Sequence, residues 1–403
     1  MDADQLRKDF PLYSSEDRDL IYLDSACQSL RPRQVVEAMD EYYVQYPACG
    51  GRSVHRLATK VSVKIDEARE KVASFIGCSD PSCIIFTKNC TEAINLVAKG
   101  YPFSKGDVVL TSDMEHNSNH VPWLQLVDDK GIRHRYVRSP PSGLFDINAY
   151  KEALAADVRM VSMVHSNNVT GAVIPAREIV AEAHDKGALV MLDGAQSAPH
   201  RPIDVEELDV DSFTFSVHKM LGPSGVGVLY AKKGLLDKLT PLSPGGGSVG
   251  VTDYTKVEYL PSPEKFEGGL LNYSGILGAG AAVDYLRMVG MEEVAEHERR
   301  LNSLITAGLK DHPAVTILEP VEAKHREGLF PFNLRGMNSH DVAMIIDEMA
   351  KVQIRSGMHC MHPYFLSRHI DGCARASVYL YNTEEECKRF VEAVKAVAAT
   401  FST

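Results

Sequence analysis

The chain has 403 residues, a length that suits two domains or one large domain carrying a smaller one. Its 44% hydrophobic and 24% charged residues are ordinary for a globular protein and argue against a disordered, collagen-like or coiled-coil chain. The 43 basic and 54 acidic residues give a net charge of −11 without a basic block, so broad binding to nucleic acid or to an anionic membrane is not expected.

Short apolar strands alternate with helices over the first part of the chain. Apolar residues at helical spacing predict helices over 61–76, 91–99 and 176–186, and Gly77 and Gly100 end the first two. Strands are predicted at 83–87, 108–110, 160–164, 189–192, 212–215 and 226–230. This alternation is typical of an α/β domain with a mostly parallel sheet.

The residues that follow these strands are rich in polar and ionisable side chains. In open α/β sheets, ligands bind beyond the carboxyl ends of the strands, so these positions are candidates for a site. The segments concerned are 88–91, 115–117, 165–168, 193–196 and 216–219.

The pattern changes in the last third of the chain. Residues 241–248 contain Gly245-Gly246-Gly247 and predict a loop or a boundary. A long helix is predicted over 292–310, then strands near 315–317, 331–334, 352–355 and 376–379, and a final helix over 383–399. We therefore expect an N-terminal segment (1–20) packing with the small domain, a large domain (21–291) and a small α+β domain (292–403).

Location and metal content are predicted from the N-terminus and the cysteines. The chain opens acidic and polar without the apolar stretch of a secretory signal, and no apolar run reaches the length of a membrane span. The eight cysteines are scattered and form no Cys-x-x-Cys pair, so we expect neither a disulfide framework nor a structural zinc site. A cytoplasmic protein without a bound metal is the expectation.

Asp193 and Lys219 are the first informative pair of side chains. Each follows or ends a predicted strand, so a carboxylate and an amine could together hold a pyridine cofactor. The lysine would form a Schiff base, and the carboxylate would keep the ring nitrogen protonated so that the ring acts as an electron sink. An ion pair or a solvated lysine is the alternative for either residue taken alone.

The motifs around these residues resemble a known family. Asp193-Gly194-Ala195-Gln196-Ser197, followed by Ser216-Val217-His218-Lys219, resembles the pyridoxal-phosphate (PLP) signature of class V aminotransferase-like enzymes. Residues 355–363, Arg-Ser-Gly-Met-His-Cys-Met-His-Pro, resemble the active-site cysteine segment of the cysteine desulfurases, in the short-loop branch shared with selenocysteine lyases. The resemblance spans nearly the whole chain, and several motifs occur in the right order. It implies fold type I of the PLP-dependent transferases, with a mostly parallel seven-stranded sheet in the large domain and a smaller α+β C-terminal domain.

The resemblance also implies roles around the cofactor ring. Lys219 would form the Schiff base with PLP, Asp193 would pair with the ring nitrogen, and Gln196 would hydrogen-bond the phenolate oxygen. His116 would stack on the ring and take part in proton transfer, with a surface histidine as the alternative. Asn168 would lie beside the ring near the substrate carboxylate, although Asn167-Asn168 before Gly171 would also suit a turn.

Three residues are implied for the cofactor phosphate. Thr91 stands at the start of a predicted helix, where free N–H groups and the helix dipole favour an anion. Plain helix capping is the alternative for Thr91, and it is compatible with phosphate binding. Ser216 and His218 match the other phosphate contacts of the family.

Three further residues are implied for the substrate. Arg375 matches the arginine that binds the substrate α-carboxylate, a task that suits its planar fork of donors. Arg355 precedes the cysteine segment and would help there, with a surface ion pair as the alternative. His55 matches a substrate-side histidine of the family, and an ordinary surface histidine is its alternative.

Cys360 is the predicted nucleophile. His359 and His362 flank it, and a flexible loop would give its thiol access to substrate. A core cysteine and a metal ligand are the alternatives. The resemblance implies a PLP-dependent sulfurtransferase, a cysteine desulfurase that converts L-cysteine to L-alanine and leaves the sulfur on Cys360 as a persulfide. The implied partners are a second copy of the chain and a sulfur-acceptor or iron–sulfur scaffold protein, the sulfur serving iron–sulfur cluster assembly or another transfer; neither nucleic acid nor membrane is expected.

Two segments depart from the family pattern. Residues 266–272 resemble the Glu-x-Gly-Thr-Pro segment, whose threonine reaches the phosphate in the partner subunit, but Leu270 stands at that position and cannot donate a hydrogen bond. The cross-subunit contact is then absent or made by another group. The early Asn-Ala-Ala-x-Thr stretch is altered to residues 24–29, where Cys27 is a second thiol near the expected substrate side. We interpret Cys27 as a replacement for a small residue.

Other activities remain open from the sequence. A selenocysteine lyase or a cysteine/cystine lyase would use the same fold. A class V enzyme acting on another amino acid would have no need of a thiol at Cys360. A non-catalytic scaffold would have no chemical need to keep Lys219, Asp193 and Cys360 together.

Overall fold

The computed structural model describes residues 1–51 and 53–401, and this part of the chain is rich in both helices and strands. The α-helices are α1 (Ala3–Arg7), α2 (Arg33–Gln45), α3 (Arg56–Phe75), α4 (Cys90–Gly100), α5 (Val121–Lys130), α6 (Ile147–Ala153), α7 (Ala176–Asp185), α8 (Lys233–Leu236), α9 (Tyr273–Val289), α10 (Met291–Leu309), α11 (Ser339–Ala350), α12 (His362–Ser367) and α13 (Glu384–Phe401).

The strands form one large sheet, one small sheet and two short pairs. They are β1 (Ile21–Tyr22), β2 (Ile84–Thr87), β3 (Val108–Ser112), β4 (Arg133–Val137), β5 (Val158–Val164), β6 (Leu189–Asp193), β7 (Ser212–Ser216), β8 (Gly227–Ala231), β9 (Val249–Thr252), β10 (Val257–Tyr259), β11 (Val315–Ile317), β12 (Leu329–Leu334), β13 (Val352–Gln353), β14 (Arg355–Gly357) and β15 (Cys373–Ser377).

The large sheet has seven strands in the order β2-β8-β7-β6-β5-β3-β4. Only β8 runs against the others, pairing antiparallel with both β2 and β7, so the prediction of a mostly parallel seven-stranded sheet is confirmed. Every residue of β3, β7 and β8 is buried. Strands buried on both faces often have continuous apolar runs, as Val108-Val109-Leu110 in β3 and Val228-Leu229-Tyr230 in β8 do, and these runs allow the sequence to predict them.

Helices cover this sheet with apolar faces. The predicted helix over 61–76 is α3 (Arg56–Phe75), which starts about one turn earlier and buries Val61, Ile65 and Val72 at helical spacing. It packs, as α2 does, against α9, a helix with little polar surface. None of the helices in the described residues has the length and apolar composition that crossing a membrane requires.

The small sheet corrects two of the predicted strands. Its order is β11-β12-β15-β14, antiparallel throughout. The predicted strand over 352–355 divides between two sheets: β13 pairs in parallel with β1, whereas β14 joins the small sheet. The predicted strand over 376–379 lies earlier, at Cys373–Ser377. Residues 374–377 pair with β12, and residues 373–375 pair with β14. Both errors concern partners that are distant along the chain.

The N-terminal segment contacts both parts of the chain. The Met1 ammonium lies 3.2 Å from Glu293, and Arg7 lies 2.6 Å from Glu386, both on helices of the small unit. The ring of Phe10, by contrast, is fully buried in the core of the large unit. We propose the division into 1–20, 21–291 and 292–403, with the first segment contacting both units and with Ile21 and Leu23 packing in the core of the small unit; residues 402 and 403 lie outside the described part.

Candidate active site

A cavity of about 280 Å³ opens where the parallel strands of the large sheet end and the small sheet faces them. It brings together almost every predicted site residue, although these are spread along most of the chain. Those that line it are Thr91, His116, Asn168, Asp193, Gln196, Ser216, His218, Lys219, Arg355, Cys360 and Arg375. Only His55, among the predicted residues, lies elsewhere in the described chain.

Asp193 and Lys219 lie in the floor of this cavity. Asp193 is the last residue of β6 and is 3% exposed; its Oδ1 accepts hydrogen bonds from the Ala195 amide (2.9 Å) and the Cys90 thiol (3.3 Å). Burial raises the pKa of Cys90, so this thiol stays protonated and donates. Lys219 ends the turn after β7, and burial lowers the pKa of its amine, against the opposing effect of the Asp193 charge. An amine that loses its proton more readily suits both Schiff-base formation and proton abstraction.

His116 is held in one orientation at the edge of the cavity. It caps a 3₁₀ turn (Asn117–Asn119), and its Nδ1 accepts a hydrogen bond from the Ser118 amide at 3.1 Å. Burial and the nearby Lys219 charge lower the pKa of His116 to about 4, so its ring is neutral near pH 7. Because Nδ1 accepts, the neutral ring carries its proton on Nε2.

Gln196 and Asn168 each present an unpaired atom within this buried region. The Gln196 side chain donates to the Ala26 carbonyl (2.7 Å), and the Asn168 side chain donates to the His359 carbonyl (2.8 Å). Their amide oxygens are buried and have no hydrogen-bond partner among the described residues. Buried polar atoms without partners are uncommon, and here they indicate a polar ligand. The donor set fits PLP, since each amide nitrogen also keeps a second N–H for a ring substituent or a substrate.

The start of α4 supplies donors for a phosphate. Asn89, rather than Thr91, caps this helix, because its Oδ1 accepts from the Glu92 amide at 3.0 Å. The Cys90 amide donates to the Ser216 hydroxyl at 2.8 Å, which leaves that hydroxyl proton free to donate in turn. The Thr91 hydroxyl pairs with Ser118 at 2.7 Å at the cavity wall. The capping alternative for Thr91 is therefore not what the structure shows.

Arg375 and Arg355, which both line the cavity, lie close to the same carboxylate, that of Asp24. Arg375 is 2% exposed; its Nη1 donates to the Asn168 carbonyl (2.6 Å), and its Nη2 lies 3.4 Å from Asp24. The Nε of Arg375 has no partner among the described residues. Arg355, opposite Arg375 in the small sheet, lies 3.6 Å from Asp24 and donates to the Cys27 sulfur at 2.9 Å. The buried Arg375 with a free N–H is the better carboxylate receptor of the two.

The segment that carries Cys360 is short, and hydrogen bonds hold two of its carbonyls; its flexibility stays a prediction. His359 and Cys360 both have left-handed backbones, with φ of 47° and 58°, a conformation that costs a non-glycine residue about 1 to 3 kcal/mol. The carbonyl of His359 accepts from Asn168, and that of Cys360 accepts from the Asn117 amide at 2.7 Å. The Met361 side chain is fully buried. Cys360 is exposed and lines the cavity, so its thiol is accessible from it.

His55 and Leu270 lie outside this cavity. His55 is exposed and caps α3, its Nδ1 accepting from the Ala58 amide at 3.3 Å, so the structure gives no support within one subunit to a substrate-binding role. Leu270 is 70% exposed. The nearby Glu267 is buried and forms two hydrogen bonds with Arg69 (2.7 and 2.8 Å). Glu267 therefore anchors this segment to Arg69, while the Leu270 side chain is exposed.

Several residues of the site were given no individual role from the sequence, although Asn89, Cys90 and Asn117 lie in the candidate segments 88–91 and 115–117. Ser118, Asn89 and Cys90 support the cofactor region, and Asn117 and Asp24 hold the cysteine segment and the arginines. The Asn89 cap could have been found from the sequence, because asparagine directly before a helix is a capping signal. The other contacts join residues that are far apart in the sequence and leave no local pattern.

The chain is similar to known proteins over nearly its whole length. The model of the family described as aminotransferase class-V matches residues 21–390. The chain is 39% identical to a probable cysteine desulfurase of Halalkalibacterium halodurans, over 96% of this chain and 95% of that protein. It is 37% identical to a cysteine desulfurase of Haloferax volcanii, over 100% and 98%. The apo structure of a cysteine desulfurase from Thermococcus onnurineus NA1 superposes with a TM-score of 0.94 at 34% identity, covering 98% of each chain.

Proposed function

The chain belongs to the class V aminotransferase family, and we propose that it is a PLP-dependent cysteine desulfurase, a sulfurtransferase that converts L-cysteine to L-alanine and takes up the sulfur on Cys360. One observation carries this conclusion. The Lys219 amine and the Cys360 thiol line the same cavity, with the buried Arg375 guanidinium in its wall. An enzyme that only transaminates has no use for that thiol.

The residues of the cavity fit PLP. Lys219 would attach it, Asp193 would keep the ring nitrogen protonated, and His116 and Gln196 would contact the ring and its phenolate oxygen. Thr91, Ser216 and His218 would hold the phosphate. When bound, the cofactor supplies an electron sink for the carbon atoms of the substrate. The outward-facing Leu270 leaves this subunit's segment without the hydroxyl that the family places there.

The chain's own side chains then perform the proton and sulfur transfers. Arg375 binds the substrate carboxylate, and Asn168, whose carbonyl holds Arg375, orders the same wall of the cavity. Lys219, whose pKa is lowered by burial, accepts the proton from Cα. The Cys360 thiolate attacks the substrate sulfur: an S–S bond forms, the Cβ–S bond breaks, and its electron pair stays on carbon. That carbon takes up a proton to give alanine, and Cys360 keeps a persulfide.

A homodimer is part of the proposal. Large apolar side chains are exposed at the end of α2 and just before α9: Tyr43 is 62%, Val44 80% and Leu270 70% exposed. These segments are neighbours, because the Ser274 hydroxyl donates to Tyr43 at 3.0 Å. Exposed apolar groups of this kind mark interaction sites.

A sulfur-acceptor or iron–sulfur scaffold protein is the further partner that we propose, since a persulfide must be passed on. A cytoplasmic location completes the proposal; the eight cysteines, all free thiols, suit a reducing compartment.

Mass spectrometry of the purified protein after a brief exposure to cysteine tests this function. We expect one extra sulfur on the peptide that contains Cys360 and an equal amount of alanine. The variant Cys360→Ser should bind PLP normally and gain no sulfur, whereas Cys49→Ser, which changes an exposed thiol outside the cavity, should behave as the unchanged protein does. Full sulfide release by Cys360→Ser would indicate a lyase that works without a persulfide and would refute the proposal.

A further inference from the structure

We propose that Asn117 is a positioning residue for sulfur transfer, which holds the Cys360 thiol in place through the backbone of Cys360 and the side chain of His362. The inference rests on the proposed function and concerns how the thiol is aimed.

Asn117 holds the cysteine segment at two points. Its backbone N–H donates to the Cys360 carbonyl at 2.7 Å. Its side-chain Nδ2 lies 2.7 Å from Nδ1 of His362 and donates to it. The two contacts lie on either side of Met361, whose side chain is fully buried. Asn117 therefore contacts both ends of the stretch 360–362, which carries the thiol.

The stretch needs such support because its backbone is strained. His359 and Cys360 are both left-handed, and neither is glycine. A strained conformation persists only where the surroundings determine it. Asn168 holds the His359 carbonyl from one side, and Asn117 holds the Cys360 carbonyl from the other. The Cys360 side chain is exposed, so the backbone contacts and the Asn117–His362 contact that surround it together decide where the sulfur points.

The same turn also places the group that contacts the cofactor ring. His116 caps the turn that begins at Asn117, and its ring is fixed by the Ser118 amide. Adjacent residues thus set the ring-contacting imidazole and the thiol. This turn therefore connects the His116 imidazole to the segment that carries the Cys360 thiol. Removing the Asn117 side chain should loosen the thiol and leave the imidazole in place.

The test compares Asn117→Ala, His362→Ala and the double variant in a single turnover. The rate of persulfide formation on Cys360 is followed by rapid quenching and mass spectrometry. We expect each single variant to be about tenfold slower, in line with the sensitivity of reactions to small misplacements. The double variant should be no slower than either single one, because both remove the same contact. The KM for cysteine and the visible spectrum of bound PLP should not change.

Two further variants separate positioning from general damage. His362→Gln keeps an acceptor for the Asn117 amide and should react within about twofold of the unchanged protein, a difference small against the effect that we expect from misplacing the thiol. His340→Ala removes a similar hydrogen bond, 2.9 Å to Ser356, from an exposed histidine of α11. It should also react at the normal rate.

The outcomes distinguish this inference from the proposed function. If the unchanged protein forms no persulfide on Cys360, the proposed function fails. If it forms the persulfide and Asn117→Ala forms it equally fast, the inference alone is overturned. Multiplied effects in the double variant, or a loss of bound PLP in the single variants, would likewise overturn it, since they would show separate roles or structural damage.

Discussion

Replacing Arg375 with lysine tests the geometry of substrate binding. The guanidinium is buried, one of its nitrogens holds the Asn168 carbonyl, and its Nε has no partner among the described residues. A substrate carboxylate can therefore meet a planar pair of donors. Lysine keeps the charge but offers a single point contact, so Arg375→Lys removes one charge-assisted hydrogen bond to the substrate and also disturbs the hydrogen bond to the Asn168 carbonyl.

The size of the effect follows from that bond. A hydrogen bond to a charged group contributes about 1.5 to 3 kcal/mol. At about 1.4 kcal/mol for each factor of ten, kcat/KM should fall roughly 10- to 150-fold. Because the carboxylate does not change during the reaction, the loss should appear mainly as a higher KM. If the Asn168 carbonyl also loses its hydrogen bond to Arg375, the fall in kcat/KM should be larger still.

Initial rates of alanine formation over a range of cysteine concentrations measure the change. Arg355→Lys is the matched control, because the Arg355 side chain is 47% exposed and contacts Asp24 only at 3.6 Å. Water can replace so exposed a contact, and we expect a change of about threefold or less. An unchanged KM in Arg375→Lys, or a larger effect in Arg355→Lys, would refute the assignment of the carboxylate to Arg375.

Two other predictions concern the cofactor and the response to acid. Lys219→Ala protein should purify without the visible absorption of covalently held PLP, as absorption spectra will show; an unchanged spectrum would remove Lys219 from its role. Stability should fall as the pH decreases from about 6.5 to about 3, because burial lowers the pKa of His134 and His165 to about 3 and that of His359 to about 2. The unfolded chain takes up these protons first, so a thermal midpoint at pH 5 that equals or exceeds the one at pH 7 would contradict this reasoning. Glu115 acts in the opposite sense, since burial raises its pKa to about 8 and its contribution is lost as the pH rises above about 4.5.

The sequence predicts the fold best where strands are buried on both faces. The predicted strand at 108–110 lies within β3, where Val108-Val109-Leu110 is a continuous apolar run, and the predicted strand at 212–215 lies within β7, where buried Phe213 and Phe215 alternate with buried Ser and Thr. The edge strand β4 was missed, since Arg133-His134-Arg135-Tyr136 has only partly buried or exposed side chains. Its place is determined by pairing with β3, a partner that no local pattern reveals.

The site shows the same division between local motifs and distant contacts. Residues such as Asp193 and Lys219 follow predictable strands, and the parallel sheet brings such strand ends together. The contact between Asn117 and His362 joins positions 245 residues apart and is invisible in either segment alone. The left-handed backbone of His359 and Cys360 was not predicted either, because positive φ is uncommon for residues other than glycine.

The pairing of β1 with β13 bears on how the protein is made. Ile21 donates its amide to Lys351, and Ile21 and Leu23 belong to the core of the small unit, whose other members come from the last quarter of the chain. On the ribosome, these first apolar residues emerge long before their partners exist. Ile21 and Leu23 cannot be buried in this core until synthesis of the chain is almost complete. A C-terminal fragment expressed alone would lack them, so its core would have a hole that only the N-terminal peptide could fill.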